Sequence, residues 1–125
     1  TRFKCDWSSD VCSSDLTRHM VSDAQFALMK PTAYVVNVSR GGIVDEAALA
    51  RALEAKKIAG AALDVTEAEP LAASSPLRKF DNCLITPHMA WYSEEAGLEL
   101  KRKVAEEAVR MVKGEPVHYP VNKLA

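Results

Sequence analysis

Apolar and polar positions alternate in short blocks from Thr17 onward, and each block has helical or strand spacing. Ser22 precedes DAQFALMK (23–30) as a helix N-cap, and Pro31 stops that helix. The β-branched run AYVVNV (33–38) predicts a buried strand, and SRGG (39–42) a turn. Asp45 caps a second helix over EAALARALEAKK (46–57), with Leu49 and Leu53 on its inward face. GAALDV (60–65) predicts the next strand, and 66–82 a Pro-, Ala- and Ser-rich loop with one helical turn at most. NCLIT (82–86) is a third strand, ended by Pro87. Ser93 then caps a long helix over 94–113, with Gly114 at its C′ position and Gly97, Leu100, Val104, Ala108 and Met111 as an inward stripe.

Strand–helix–strand units of this length imply parallel pairing. The expected fold class is therefore α/β: half of an open parallel sheet of about three strands with covering helices, plus a long C-terminal helix. Three strands leave such a sheet incomplete, with an apolar edge bare, so the chain is expected to be a fragment of something longer.

Residues 1–16, TRFKCDWSSDVCSSDL, fit neither period. They lack the apolar centre of a signal peptide. Back-translation gives a string that resembles a common short-read sequencing adapter, with the index barcode falling just before Asp6 and Trp7. The expectation is an artefactual leader without stable packing. Without it, acidic and basic side chains from Thr17 onward are equal in number, and Cys5 and Cys12 drop out, leaving Cys83.

Composition narrows the function further. The chain has 125 residues, 48% hydrophobic and 26% charged, with a net charge of -1. No basic run offers a footprint for nucleic acid or anionic membrane. No apolar stretch approaches the roughly 18–20 residues of a transmembrane helix. The three cysteines form no CxxC pair or metal-ligand spacing.

An open α/β sheet binds ligands beyond the carboxyl ends of its strands. Ser39 and Arg40 follow the first strand, Asp64, Glu67 and Glu69 lie at or after the end of the second, and His88 follows the third. Arginine suits two-pronged capture of a carboxylate. Histidine titrates near neutral pH, and a glutamate on its second ring nitrogen fixes the tautomer and favours imidazolium. Arginine with a Glu–His pair suits reversible reduction of a 2-oxo acid. No serine or cysteine sits in a nucleophile-elbow context.

The segments NVSRGGIVDEAAL (37–49), GAALDVTEAEP (60–70) and TPHMA (86–90) together resemble the D-isomer-specific 2-hydroxyacid dehydrogenases, over essentially all of residues 17–125. The resemblance implies a Rossmann-type fold: residues 17–93 as the second half of a dinucleotide-binding domain, and 94–125 as a helix and tail returning toward a substrate domain outside this sequence. It implies Arg40 as carboxylate clamp and carbonyl polariser, His88 as catalytic histidine, and Glu69 as its partner. Val38, Ser39, Arg40, Asp64 and His88 would meet an NAD cofactor, with Asp64 on the nicotinamide carboxamide; the alternative for Asp64 is a cap of the strand end. Glu67 does not align with the motif and reads as a solvated loop charge. HMAWYSEEA (88–96) is similar to the subgroup of the C-terminal binding protein corepressors, so Trp91 either lines the substrate pocket or packs at the helix start.

The phosphate-binding GxGxxG loop and the acidic ribose reader are not in this sequence, so NAD and NADP stay open. The resemblance implies a small 2-oxo or 2-hydroxy acid partner, a cytoplasmic setting and a homodimeric parent, with the fragment inactive alone. A dinucleotide-sensing, corepressor-like binding protein of the same fold is the other reading.

Overall fold

The computed structural model describes residues 16–120. All but the last residue of the leader lies outside them. Three parallel strands form one sheet in the order β1 (Tyr34–Asn37), β2 (Gly60–Leu63), β3 (Cys83–Ile85). Tyr34 stands opposite Gly60, and Ala61 opposite Cys83, so the register runs straight across the sheet. The chain divides into two compact units, the first ending at Ala90, and this first unit also carries two helices, α1 (Asp23–Leu28) and α2 (Glu46–Glu54). A single 3₁₀ turn, Pro76–Lys79, interrupts the long loop before β3.

Strand alternation decides where the core sits. Val35, Ala61 and Leu63 point to one face and pack with Phe26, Leu49, Leu53 and Leu77. On β1 and β3 the alternate positions Tyr34, Val36 and Leu84 are exposed. β1 and β3 are the outer strands of this sheet, and alternation also leaves their apolar side chains exposed on the face turned away from the core.

The helices and strands are shorter than the residue pattern suggests. The chain turns extended at Met29, which ends α1 two residues early. Asp45 caps α2 as expected, accepting from the Ala48 amide at 2.9 Å. Helix α2 stops at Glu54, and Lys56 takes a left-handed conformation with φ of 52°. The strands lose Val38, Asp64 and Val65, and the two valines carry β-forming side chains past the point where the ladder stops.

The second unit, from Trp91 onward, carries α3 (Glu94–Lys113) with the bounds its sequence predicts. The Ser93 hydroxyl accepts from the Ala96 amide at 3.0 Å, and Gly114 closes the helix at φ 70°. Lys103 with Glu99, and Arg102 with Glu106, pair one turn apart at 2.7 Å each. Lys103 also lies over the Tyr119 ring, 5.3 Å from its centre. The expected inward stripe is not buried: Leu100, Val104 and Met111 are exposed, and α3 buries none of its residues. No described helix is long and apolar enough to cross a membrane.

Candidate active site

The loops beyond the three strand ends are built from below by buried polar side chains. At the end of β1, Asn37 is 2% exposed. Its amide nitrogen donates to the Arg40 carbonyl at 2.9 Å, and its oxygen accepts from the Ser39 amide at 3.2 Å. Asn37 therefore shapes the turn that presents Arg40, a role its place in a strand pattern hides. Arg40 is exposed, with Nη1 donating to the Ser39 carbonyl at 2.7 Å. Val38 is 41% exposed and Ser39 half-buried beside it. The next residue, Gly41, presses against the Thr66 carbonyl so closely that a Cβ would overlap it.

Asp64 ends up as an anchor. Its carboxylate accepts from the Thr86 hydroxyl at 2.6 Å and from the Met89 and Ala90 amides at 2.8 Å each. Its carbonyl accepts from the His88 amide at 2.8 Å. Asp64 thus grips the chain on both sides of His88, which sits at φ 53°, a left-handed conformation that costs a non-glycine residue energy. These bonds match the strand-end cap. Oδ2 accepts a single hydrogen bond among these contacts, so the carboxylate keeps acceptor capacity for an amide donor.

Glu69 and His88, separated by nineteen positions, meet directly: His88 Nδ1 lies 2.8 Å from Glu69 Oε2. The other oxygen of Glu69 accepts from the Thr66 amide at 3.2 Å. The contact with His88, against some burial, holds the Glu69 carboxyl below its ordinary range, helped by the Thr66 amide and by the charges of His88 and Arg40. Burial pushes Asp64 upward, but the Thr86 hydroxyl, the two amides and His88 outweigh it, leaving that carboxyl lowered too. A cleft of about 450 Å³ is lined by Asp64, Glu69, Arg78 and His88 among others.

Both depressions have one consequence for acid stability. A carboxylate whose pKa is lower folded than unfolded contributes stability above its unfolded value and loses it as pH falls through the folded one. The thermal midpoint should therefore hold steady down to about pH 5 and fall below about pH 4. Asp64→Asn should lower stability at neutral pH and flatten that acid limb, as thermal unfolding across a pH series would show.

Glu67 is exposed in its loop, as its sequence context suggests, but it also has charged and hydrogen-bonding partners. It accepts from the Glu46 amide at 3.1 Å, stands 3.2 Å from His19 Nε2, and lies 3.7 Å from Arg18. Glu46 in turn accepts from the Glu67 amide. The partners are 21 and more positions away, so no local signal could reveal them. Trp91 belongs to the second unit, 57% exposed, its ring edge-on to Tyr92 with centres 5.5 Å apart. Among the described residues no cluster of His, Cys, Asp or Glu could hold a metal ion.

An arginine turn, a buried aspartate and a Glu–His pair beyond the ends of parallel strands lie where open α/β folds bind their ligands. Residues 4–90 match the family model of the D-isomer specific 2-hydroxyacid dehydrogenase, NAD binding domain, and the chain belongs to that family. The match begins within the leader segment. The chain is 47% identical over 120 residues to a D-3-phosphoglycerate dehydrogenase of Archaeoglobus fulgidus, covering 92% of this chain and 23% of that protein. Among solved structures, D-lactate dehydrogenase with NAD+ from Lactobacillus jensenii superposes with a TM-score of 0.80 at 27% identity, over 90% of this chain and 38% of that one. A D-isomer specific 2-hydroxyacid dehydrogenase from Xanthobacter autotrophicus Py2, in complex with NADPH and MES, gives 0.73 at 39% identity, over 88% and 45%. The chain spans about a quarter to a third of the length of the curated relatives it matches.

Proposed function

We propose that the protein is an NAD(P)-dependent oxidoreductase that reversibly reduces 2-oxo acids to D-2-hydroxy acids. The observation that carries this reading is the 2.8 Å contact between His88 Nδ1 and Glu69 Oε2, with the Arg40 charge acting on the same carboxylate. Glu69 holds Nδ1 and orients the ring, and Nε2 of His88 delivers a proton to the C2 oxygen of the substrate. Arg40 orients the substrate carboxylate through its planar fork.

The residues present fit the nicotinamide end of a dinucleotide: Val38 and Ser39 are accessible past β1, and Asp64 retains acceptor capacity for a carboxamide. A bound nicotinamide supplies the hydride. Residues 17–93 then form the second half of the cofactor domain, and 94–125 lead back toward a substrate domain. A homodimeric parent, a cytoplasmic setting, and a small acid rather than nucleic acid as partner complete this reading, the last in keeping with the near-neutral charge.

The test is the pH dependence of reduction in the longer protein that carries this chain. Protonated His88 is the active form, so kcat/KM for the oxo acid should fall as pH rises through the histidine titration. Glu69→Gln keeps the shape and removes the charge, which should move that falling limb to lower pH. A limb that stays in place on this substitution overturns the Glu–His pairing.

A further inference from the structure

We infer that Arg78 is a positioning residue for the Glu69–His88 pair, strapping the loop that carries Glu69 to a turn anchored in the core. The inference rests on the proposed function for its catalytic meaning, and on hydrogen bonds and burial for its geometry.

The loop needs holding. Glu67 to Pro70 and Ala72 to Ser74 are exposed, so hardly any packing fixes the segment that presents Glu69. Upstream, Glu69 is tied by its own Oε1 to the Thr66 amide. Downstream, the tie comes from Arg78: Nε donates to the Ala72 carbonyl at 3.1 Å, and Nη2 to the Leu71 carbonyl at 2.9 Å. Those carbonyls belong to the second and third residues after Glu69.

The far end of the strap is rigid. Arg78 sits in the turn Pro76–Lys79, whose Leu77 is 0% exposed within the core. Ser75 closes the same turn, its hydroxyl accepting from the Leu77 amide at 3.3 Å and its own amide donating to the Ala72 carbonyl at 3.0 Å. A planar guanidinium can hold two successive carbonyls at once, whereas an ammonium cannot reproduce that fork. Arg78 also lines the cleft that Glu69 and His88 line.

Two roles for Arg78 predict opposite signs. The charged groups acting around the imidazole are the Asp64 and Glu69 carboxylates, with Arg40 acting on Glu69. If Arg78 is only a further cation in the cleft, removing it favours imidazolium and raises the His88 titration midpoint. If it straps the loop, removing it loosens Glu69 from the ring and lowers that midpoint.

The experiment is a titration of the His88 imidazole followed by NMR in the 125-residue chain. Arg78→Ala should lower the midpoint. Arg78→Lys, which keeps the charge, should lower it as well. In a Glu69→Gln background, Arg78→Ala should produce no further drop, since the partner is already gone. A midpoint that rises or stays in Arg78→Ala, or an Arg78→Lys chain that titrates like the parent, overturns the strap. Turnover plays no part in this readout, so failure of the dehydrogenase reading would leave its outcome intact.

Discussion

Replacing His88 with alanine should cost the longer protein roughly 10²–10⁴-fold in kcat/KM for 2-oxo acid reduction, the usual scale for removing a general acid. On the proposed mechanism the loss should appear in kcat, since the proton would be transferred in the transition state and alanine would leave the proposed Arg40 clamp on the substrate carboxylate untouched. The fold should tolerate the change. The His88 side chain is exposed, and the bonds that hold its turn are made by its backbone amide and by the Met89 and Ala90 amides, all to Asp64. Steady-state kinetics beside a thermal melt separate the two effects. Near-normal turnover in a folded His88→Ala protein would remove the histidine from the mechanism and turn attention to a binding role.

Gly41→Ala should be the most damaging small substitution for stability. An added Cβ would land on the Thr66 carbonyl, which is backbone and cannot swing aside. The turn that carries Arg40 and the loop that carries Glu69 would have to part. Overpacking of this kind costs about 1–3 kcal/mol or more. Gly114 supplies the contrast, since nothing lies within 4 Å of its Cβ position and only its φ of 70° favours glycine. Gly114→Ala should therefore cost only about 1 kcal/mol. Urea unfolding checks both, with a lower midpoint and an unchanged slope expected for each. Equal losses at the two positions would show that the contact with Thr66 is not what matters at Gly41.

What could be read ahead of the structure follows from the range of the forces involved. Helix α3 is legible to the residue because its stop signals are local: a serine hydroxyl three positions from the amide it caps, and a glycine at a left-handed turn. Strand ends are less legible, since Val38 and Val65 carry the same β-forming side chains whether or not a neighbouring strand continues beside them. Sheet topology made it foreseeable that Arg40, His88 and the acidic residues at the end of β2 would gather on one edge, and the family resemblance singled out Glu69; the structure sets Glu69 against His88 and brings the Arg40 charge to bear on Glu69. The supports were not foreseeable. Asn37 looks like one more strand residue, Glu67 finds His19 across 48 positions, and Arg78 works by gripping carbonyls, which leave no mark in a residue pattern.

Arg40, Glu69 and His88 each stand just past a different parallel strand, and none lies in a strand or a helix. In recombination terms the arrangement is modular. A crossover placed within α2 would exchange the arginine turn and keep the Glu–His pair of the other parent. A crossover within Pro76–Lys79 would divide the pair itself, leaving an imidazole from one lineage to find a carboxylate from another.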